Sequence, residues 1–544
     1  MEGRGISTAI IGFISLVLPS AEGQKGADMP LQVDGKVLLS GNFAELRNNH
    51  FHAGIDFKTG GREGLPVRVA KQGYISRISV NHVGYGKALY VSHPDGTTTV
   101  YAHLHSFAPH IAELVRQRQY KEECFRVDFD IKEGLLPVVC SEVIALSGNT
   151  GSSVGPHLHF EVRETASQEV LDPLDWYAPL IKDSRPPQAQ GAYLYAVKGR
   201  GTVGNGHSPK TFCALGGTVE AWGYVGAAIR AYDFMDGTRN IYGVKYITLA
   251  VDGKEVFRSG ITRFAFSETR LINSFIDYGE WKNNSLFLMK SFIEPGNALR
   301  FLYADRRGFI CINQKRDYKF VYTLTDAFGN TSHFRFIVRG RQQLIPSAPA
   351  CDEVFQYDTD NRFGAKGMRL LLPQGALYDN LYFRYAAPDD DRPSYRLHDE
   401  PVPLHRPSIL SLFLSPADTL PPSAYGIVRL SENGYQWIGG TYSKGCIKAS
   451  IDELGEYALA VDTVSPHIHL VALRAGHHPL IAFLLNDNLS GIASYRAELD
   501  GQFVLFERES ETRIVCREHL PSGELTLSVT DGCSNVAVYT CSVG

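Results

Sequence analysis

The chain has 544 residues, which corresponds to about three or four domains at the usual size of roughly 100 to 200 residues each. Lys and Arg total 54 against 58 Asp and Glu, so the net charge of −4 gives no broad positive field for nucleic acid or an anionic membrane. The nine cysteines are scattered and odd in number, which excludes a small disulfide framework and a paired metal-knuckle spacing. We therefore expect a multidomain protein that does not bind nucleic acid.

The N-terminus predicts a secretory signal over residues 1–23. One early Arg precedes an apolar run of roughly 16 residues, and small residues follow that suit cleavage after Ala21 or Gly23. The run is shorter than the about 20 residues of a bilayer-spanning helix, and an uncleaved membrane anchor is the alternative. We expect an exported protein of the periplasm or cell envelope.

Short β-branched and aromatic runs follow the signal, among them "LPVRVA", "GYISRISV", "KALYVSH" and "TTTVYAHL", separated by turn sequences such as "HPDG". One stretch, "HIAELVRQRQY" at residues 110–120, contains good helix formers. The Pro pair in "KDSRPPQ" then breaks the pattern. This predicts a β-domain over residues 24–182 with one helix over its sheet.

An internal repeat organises the rest of the chain. A Gly followed by Val or Ile precedes an Asp-Gly pair by nine residues at positions 243 and 252 and again at 491 and 500. Each copy then reaches a similar turn, "TDAFGN" or "TDGCSN". We expect two Ig-like β-sandwich modules, at residues 183–341 and 463–544, the first enlarged by an insertion around "INSFIDYGEWKNNSLFLMKSF". Residues 342–462 between them predict a β-rich domain of unknown type.

Two polar strand faces in the first domain suggest a metal site. In "FHAGIDFK" the alternation of an extended segment places His52 and Asp56 on one face, and in "HLHFEV" it places His157, His159 and Glu161 together. Two imidazoles and a carboxylate, with a fourth position left for water, suit a catalytic zinc ion better than Mg²⁺ or Ca²⁺. The motifs name the donors but do not establish that they meet.

The His-x-His spacing alone does not identify a ligand pair. "SPHIHLV" repeats it at His467 and His469, with a preceding Pro as well. That module contains no His-x-x-x-Asp partner, so we interpret the second pair as the polar face of a strand. The site prediction therefore depends on the other motifs of the first domain.

Three motifs together resemble a known family. "HAGID", "TVYAHL" and "SGNTGSSVGPHLHFEVR", in this order over roughly residues 35–180, resemble the lysostaphin and LytM type of zinc endopeptidases that cut peptidoglycan cross-links. The resemblance implies a compact β-fold with a duplicated motif related to lipoyl-carrier barrels. It also implies one Zn²⁺ per chain. Its metal ligands would be His52, Asp56 and His159, and its catalytic histidines His103 and His157.

The sequence departs from the family at one turn, and the residues near the motifs need separate interpretations. Cys140-Ser141-Glu142 replaces the usual Lys/Asp-Gly turn, with no metal or catalytic position affected. His105 shares a strand face with His103, but the "YAHL" match favours His103. We interpret His50 as a rim or loop residue. Glu161 is either a partner that orients a histidine or a solvated strand residue.

The expected chemistry follows from the charges. Zinc lowers the pKa of a bound water to about 7 and polarises a carbonyl, but the leaving amine of a peptide still needs a proton. The His-Glu-x-x-His motif with its glutamate base is absent. We therefore hypothesise that His157 and His103 orient the water, move the proton and stabilise the oxyanion, since an unperturbed histidine titrates near 6.5.

The leading functional hypothesis is an exported zinc endopeptidase that hydrolyses peptidoglycan stem peptides or cross-bridges. The alternative is a catalytically silent envelope protein that binds cell wall or activates another hydrolase. A lipoyl-type carrier would need an exposed acceptor lysine, and "GYISRI" and "SGNTG" contain none. The C-terminal β-domains would bind wall polymer or an envelope protein partner, act as spacers, or cover the cleft.

Overall fold

The fold is described from a computed structural model of the chain. It describes residues 28–33, 35–206, 208–388, 394–415, 419–431, 434–474 and 480–543, and the predicted signal at 1–23 lies outside these residues. Strands dominate throughout the described ranges, so the predicted mainly β fold class is confirmed. Within these ranges no helix has the length and apolar character needed to cross a membrane.

The N-terminal domain, residues 28–182, is a β-structure with one long helix. Helix α1, Pro109–Glu122, contains the predicted helical stretch, begins with Pro at its first turn and ends at Glu123 in the left-handed conformation. A short helix α2, Leu174–Tyr177, and a 3-10 turn, Ala178–Leu180, close the domain. Its strands are β1 Leu39–Gly41, β2 Leu46–Arg47, β3 His50–Phe51, β4 Ile55–Lys58, β5 Pro66–Arg68, β6 Gly73–Val80, β7 Lys87–Ser92, β8 Thr97–Ala102, β9 Leu104–Phe107, β10 Val127–Asp130, β11 Pro137–Val138, β12 Val143–Ser147, β13 His157–Glu164 and β14 Val170–Leu171.

Two sheets build this domain. The larger has the order β1-β4-β13-β8-β7-β6-β10 with antiparallel neighbours, and the smaller has the order β5-β12-β9. His103, with φ 57, lies between β8 of the first sheet and β9 of the second. Alternate residues of β13, Leu158 and Phe160, are fully buried in the core. The central strand therefore presents its histidines on the opposite face, as the alternation predicts.

Residues 183–341, the predicted second domain, form a sheet of order β16-β15-β17-β25-β24-β18-β19-β22, with β21 and β23 also on β17. Short helices lie between β20 and β21: the 3-10 helix Phe266–Leu271, α3 Ile272–Phe275 and α4 Tyr278–Asn284. A further 3-10 turn spans Asp305–Gly308. The strands are β15 Gln188–Val203, β16 Lys210–Cys213, β17 Thr218–Tyr232, β18 Tyr246–Val251, β19 Lys254–Gly260, β20 Arg263–Phe264, β21 Met289–Lys290, β22 Leu302–Ala304, β23 Ile310–Ile312, β24 Asp317–Thr325 and β25 Thr331–Gly340.

The third domain, residues 342–462, contains two five-stranded sheets, β27-β28-β32-β36-β35 and β30-β31-β37-β33-β34, and the pair β26-β29. A 3-10 turn, Pro422–Ala424, precedes β33. Its strands are β26 Glu353–Phe355, β27 Asn361–Ala365, β28 Met368–Leu372, β29 Leu381–Phe383, β30 Tyr385–Ala386, β31 Tyr395–Leu397, β32 Val402–Phe413, β33 Tyr425–Ser431, β34 Gly434–Gly439, β35 Thr441–Ser443, β36 Cys446–Leu454 and β37 Glu456–Val461.

The C-terminal domain, from residue 463, contains two four-stranded sheets, β38-β39-β43-β42 and β41-β40-β44-β45. Four strand pairings of this domain have counterparts in the second domain: β38–β39 corresponds to β15–β17, β39–β43 to β17–β23, β40–β44 to β18–β24 and β44–β45 to β24–β25. The strands are β38 His467–Arg474, β39 Leu480–Asn486, β40 Ile492–Leu499, β41 Gln502–Phe503, β42 Glu507–Arg508, β43 Arg513–Cys516, β44 Gly523–Asp531 and β45 Val536–Val543. The two sequence copies therefore share these four pairings, and the first copy adds β16 between β15 and β17 and further strands and helices between β19 and β24.

The first two domains share a sheet and a core. Strand β20 of the second domain pairs with β14, which extends the larger sheet of the first. The ring of Phe51 lies 5.5 Å from Phe264 and 5.5 Å from Phe301, both in the second domain. One continuous cluster of buried apolar residues spans both domains. The β2–β3 hairpin beside the predicted site is thus supported by the insertion of the second domain.

The C-terminal domain also contacts the first. Lys87 Nζ lies 3.0 Å from Glu507 Oε2, and Arg496 Nη1 lies 2.8 Å from Glu123 Oε2. All nine cysteines are free thiols. Ser141, where the family has a glycine turn, has φ 65, so the turn keeps a left-handed residue without glycine.

Candidate functional site

Strand β13 positions the predicted ligands at the centre of the larger sheet. His159 lies opposite Asp56 on β4 and opposite Ala102 on β8. The expected continuous strand over "FHAGIDFK" is wrong in detail, because β3 ends at Phe51 and β4 begins at Ile55. The chain bends at residues 52–54, and this bend brings the His52 ring to Asp56.

Gly54 makes this bend compatible with the sheet. A Cβ atom at this position would lie 2.2 Å from the carbonyl oxygen of Phe160 on β13. Only glycine has room for so close an approach of two backbones. The Gly of the "HAGID" motif therefore has a steric role: it lets His52 and His159 share one site.

Three donor atoms form a small triangle. His52 Nε2 lies 3.0 Å from Asp56 Oδ1 and 3.0 Å from His159 Nδ1, and His159 Nδ1 lies 2.9 Å from Asp56 Oδ1. All three residues are buried. For zinc ligands at about 2.0 to 2.1 Å in tetrahedral geometry, donor atoms lie about 3.3 Å apart. The spacing therefore fits a small divalent cation after a slight expansion.

The outer nitrogen of each histidine has an acceptor. His52 Nδ1 lies 2.7 Å from the Asn42 carbonyl oxygen, and His159 Nε2 lies 2.9 Å from Glu161 Oε1. Because both acceptors lack a proton, each outer nitrogen carries one and each inner nitrogen has a free lone pair. The two inner lone pairs face each other and the carboxylate, so this arrangement requires a cation between them.

In the absence of metal, a proton supplies the positive charge between these donor atoms. Burial lowers the pKa of His159, but hydrogen bonds to Asp56 and Glu161 outweigh burial and raise it to about 9. Burial raises the pKa of Asp56, but the charge of His52 and hydrogen bonds from His159 and His52 hold it well below its usual value. Metal binding would therefore displace a proton from this cluster.

Glu161 belongs to a buried network. It is fully buried and accepts hydrogen bonds from His159, from Tyr85 Oη at 2.5 Å and from Arg163 Nε at 2.6 Å. Burial alone would raise the pKa of this carboxyl, but Arg163 and the hydrogen bonds lower it to about 2. Glu161 is therefore the partner that orients a histidine, and the alternative of a solvated strand residue is wrong.

The other two predicted histidines lie beside the triangle. The His103 and His157 ring centroids are 4.7 Å apart, and His157 Nε2 lies 3.5 Å from Asp56 Oδ1. His103 Nδ1 lies 2.8 Å from the Thr150 carbonyl oxygen, and His157 Nδ1 lies 2.8 Å from that of Gly155. Each ring therefore has its proton on Nδ1 and a free acceptor at Nε2.

Burial keeps both of these rings neutral. Burial, together with His159 and His157, lowers the pKa of His103 to about 3. Burial also lowers the pKa of His157, against the opposing charge of Asp56. Both imidazoles are thus in the basic form near neutral pH, the form that accepts a proton from water.

The other histidines weighed in the sequence, His50, His105, His467 and His469, lie outside the cluster. His105 is exposed and pairs with Glu63 at 2.6 Å, and the exposed His50 ring bonds to the Asn48 carbonyl. His467 and His469 both lie exposed on β38. The five residues that the resemblance names, His52, Asp56, His103, His157 and His159, are brought together.

Some site residues were missed by the sequence interpretation. Tyr85 lay in a predicted turn. Arg47 Nη2 lies 3.3 Å from Asp56 Oδ2. The Asn42 side chain exchanges two hydrogen bonds with the backbone of Gly243 in the second domain. Arg163 had a usable signal, because it continues the polar alternation of His157, His159 and Glu161 on β13.

The donor chemistry fits a metal ion. In the part of the chain that the structure describes, three groups of acidic or histidine side chains have donor atoms within 4.8 Å of one another, and His52, Asp56 and His159 form the group with imidazoles. Two nitrogens and one carboxylate oxygen are a donor set that zinc accepts readily. The held tautomers and the orienting carboxylate complete such a site.

Comparison with known proteins agrees with the motifs. Residues 50–120 match peptidase family M23, and residues 352–462, within the third domain, match a Zu5-like domain. The chain is 33% identical over 118 residues to the DD-carboxypeptidase/endopeptidase Mpg of Neisseria meningitidis serogroup B, covering 22% of this chain and 21% of that protein. An uncharacterized metalloprotease of Haemophilus influenzae is 34% identical over 110 residues, 20% of this chain and 18% of the other.

The matches are confined to a minor part of each relative, since the chain spans about a fifth of the curated proteins that it matches. Among solved structures, the catalytic domain of lysostaphin from Staphylococcus simulans is 22% identical, covers 26% of this chain and 92% of that chain, and has a TM-score of 0.20. A zinc-containing peptidase from Vibrio cholerae is 27% identical, covers 25% and 36%, and has a TM-score of 0.19. Because both scores are below 0.5, the family assignment rests on the sequence matches and the motifs. The resemblance predicted from the motifs is confirmed: the N-terminal domain of this chain matches peptidase family M23 over residues 50–120 and carries motifs of the lysostaphin and LytM type.

Proposed function

We propose that this protein is an exported zinc endopeptidase that hydrolyses peptide bonds in peptidoglycan stem peptides or cross-bridges. The observation that carries the proposal is the triangle of His52 Nε2, Asp56 Oδ1 and His159 Nδ1, with sides of 2.9 to 3.0 Å and two further imidazoles beside it. The family match supports peptidase activity, and the names of the relatives support peptidoglycan as the substrate.

His52, Asp56 and His159 would hold the metal ion. When bound, zinc supplies a Lewis acid that lowers the pKa of a coordinated water to about 7 and polarises the scissile carbonyl. Arg47 contacts the second oxygen of Asp56 and so leaves Oδ1 for the metal. The fixed tautomers keep both histidine donors ready without rearrangement.

His157 and His103 would handle the proton. Their Nε2 atoms are unprotonated because Nδ1 donates to a backbone carbonyl in each ring. One ring accepts the proton as water adds to the carbonyl carbon, and the resulting imidazolium returns it to the nitrogen when the C–N bond breaks. While protonated, the ring is also a donor for the developing oxyanion.

Export fits a substrate that lies outside the cytoplasm. The apolar run in residues 1–23 supports a secretory signal, with an uncleaved anchor as the other form of export. The alternative of a silent envelope protein is disfavoured, because all five functional side chains are present and adjacent. The C-terminal β-domains remain candidates for binding wall polymer or an envelope partner.

The test compares the His-x-His pair of the site, His157 and His159, with the second His-x-His pair, His467 and His469. The signal-free protein is incubated with purified peptidoglycan that has direct D-alanyl cross-links and, separately, glycine bridges, and new muropeptide termini are measured together with bound zinc. We expect His159→Ala to lose zinc and activity. His157→Ala should keep zinc and lose activity by about 10²- to 10⁴-fold. His467→Ala and His469→Ala, on the exposed strand β38, should change neither.

Two outcomes would contradict the proposal. Full zinc occupancy without new termini from any wall type would reject the enzyme and favour the silent envelope protein. Unchanged zinc in His159→Ala would instead reject the ligand assignment.

A further inference from the structure

Two acidic clusters occupy matching places in the second and C-terminal domains. In each, one Asp precedes the first strand by five residues, one directly follows β17 or β39, and one follows β24 or ends β44 in the "TD" turn. One carboxylate oxygen from each member lies within 4.8 Å of the others. The clusters are Asp183, Asp233 and Asp326 in the second domain and Asp462, Asp487 and Asp531 in the C-terminal domain.

An asparagine supports each cluster in the same way. Asn330 Nδ2 donates to Asp326 Oδ2 at 2.8 Å and to the Asp183 carbonyl oxygen at 3.3 Å. Asn535 Nδ2 makes the same two bonds, at 2.8 Å to Asp531 Oδ2 and at 3.3 Å to the carbonyl of Asp462. The repeated "TD" turns therefore fix one carboxylate and connect it to the segment that enters the domain.

Orphaned oxygens in the clusters point to a ligand. Asp233 is only 3% exposed, and its Oδ1 atom is buried without a hydrogen-bond partner among the described residues. Asp183 Oδ2 and Asp487 Oδ1 are likewise buried without partners. A buried carboxylate oxygen without a partner loses its hydration and gains nothing, so a proton or a bound cation has to offset that loss.

The charges around the clusters also indicate a bound cation. Within the described ranges, none of the six carboxylates forms an ion pair with Lys, Arg or His, although Arg185 lies near the first cluster. Burial, followed by the charges of Asp326 and Asp183, raises the pKa of Asp233 to about 8. Without a cation, the first cluster would have to hold a proton at neutral pH to limit repulsion.

We propose that each cluster binds one Ca²⁺ ion, so that the chain has two matched calcium sites besides its histidine site. Ca²⁺ takes six to eight oxygen ligands at 2.3 to 2.6 Å from carboxylates, carbonyls and water, and it tolerates irregular geometry. The all-oxygen donor set separates these sites from the nitrogen-rich site of the first domain. Waters would complete the coordination.

Position gives the calcium sites a structural purpose. Asp183 lies where the N-terminal domain ends, and Asp462 lies where the third domain ends. The other two members of each cluster belong to the body of the domain that follows. A bound ion therefore joins the entering segment to that domain and stiffens the junction between neighbours.

The test uses the zinc-loaded, signal-free chain titrated with CaCl₂ in calcium-free buffer at about 0.15 M salt. We expect two Ca²⁺ per chain with dissociation constants of about 10⁻⁴ to 10⁻³ M, as in extracellular modules. Asp233→Asn and Asp487→Asn should each remove one site, and the double variant both. Asp358→Asn, an exposed carboxylate outside the clusters, is the matched control and should keep both.

Thermal unfolding gives a second readout with a distinctive sign. Calcium should raise the unfolding temperature of the wild type and have no such effect on the double variant. In calcium-free buffer the Asn variants should unfold at the same temperature or higher, because an amide brings no negative charge into the cluster. Asp183→Asn, at a half-buried position, should also weaken the first site at least tenfold and serves if Asp233→Asn fails to fold.

The proposal is overturned if the wild type binds no Ca²⁺ at millimolar concentration, or if the Asn variants bind it as the wild type does. Equal or tighter binding of Mg²⁺ would overturn the assignment to calcium.

Discussion

Replacing Glu161 by Gln should weaken zinc binding without removing any ligand. The carboxylate accepts three hydrogen bonds, two on Oε1 from His159 and Tyr85 and one on Oε2 from Arg163 Nε at 2.6 Å. The amide of Gln keeps one acceptor oxygen and offers an NH₂ group in place of the other. If the oxygen serves His159, the NH₂ group faces Arg163 donor to donor.

Two effects of Glu161→Gln have an expected magnitude, one on metal affinity and one on folding stability. Loss of a carboxylate that orients a metal-bound histidine typically costs 10- to 100-fold in metal affinity, about 1.4 to 2.8 kcal/mol. Separately, leaving the buried Arg163 without its partner costs about 3 to 5 kcal/mol of folding stability. Stacking of Arg163 on the rings of Tyr90 and Phe266 does not replace the lost charge.

The assay separates these two effects. Zinc affinity is measured by competition with a chromophoric chelator, and unfolding is followed by circular dichroism. Adding Arg163→Gln to Glu161→Gln removes the uncompensated charge, so the double variant should regain most of the lost stability while zinc affinity stays low. Glu524→Gln, an exposed glutamate on β44, is the matched control and should change neither measurement.

The reasoning is refuted if Glu161→Gln folds normally and binds zinc within about twofold of wild type. The reasoning also fails if the double variant is no more stable than Glu161→Gln alone, because that result would show no energetic coupling between Glu161 and Arg163.

Three further predictions follow from the geometry. Gly54→Ala places a Cβ atom 2.2 Å from the Phe160 carbonyl oxygen and should abolish zinc binding, whereas Gly364→Ala, with nothing within 4 Å of the added atom, should be neutral in the same metal assay. Between about pH 4 and 8 in calcium-free buffer, the Asp233 contribution to the free energy of unfolding should fall by up to a few kcal/mol, because this carboxyl keeps its proton to about pH 8 in the folded state and loses it near 3.8 when unfolded. The wild type should therefore lose more stability over this range than Asp233→Asn in urea titrations, and equal slopes would contradict the assignment. Asn42→Ala should destabilise the chain by about 1 to 3 kcal/mol in urea unfolding by leaving two backbone groups of the second domain unpaired, and an unchanged midpoint would show that the contact is dispensable.

The residues of the candidate metal site could be named from the sequence, but their surroundings could not. Alternation along "HLHFEVR" correctly separates the buried Leu158 and Phe160 from the histidines, because a strand has a side-chain period of two. The same rule gave the right pairing of His52 with Asp56 for an incomplete reason, since the bend at Gly54 depends on the neighbouring strand. Tyr85 reaches the site from the turn before β7 and Arg47 from the β2–β3 hairpin, and spacing along the chain does not reveal either approach.

The acidic clusters show the same limit. The repeated "TD" turns exposed Asp326 and Asp531 as equivalent positions, because a repeat can be found by comparing the chain with itself. Asp183 and Asp462 were seen only as parts of linkers. The members of each cluster are separated by dozens of residues, and the strand pairing of the folded domains brings them together.

The pairing of β14 with β20 has a consequence for protein engineering. A recombinant fragment that ends at residue 182 would leave the edge of β14 that faces β20 unpaired and would uncover the ring of Phe51. Unpaired edges next to apolar surface promote intermolecular association. The smallest fragment of the peptidase-like domain that stays monomeric should therefore extend to about residue 341, and the second domain is best treated as part of the same folding unit rather than as an exchangeable accessory.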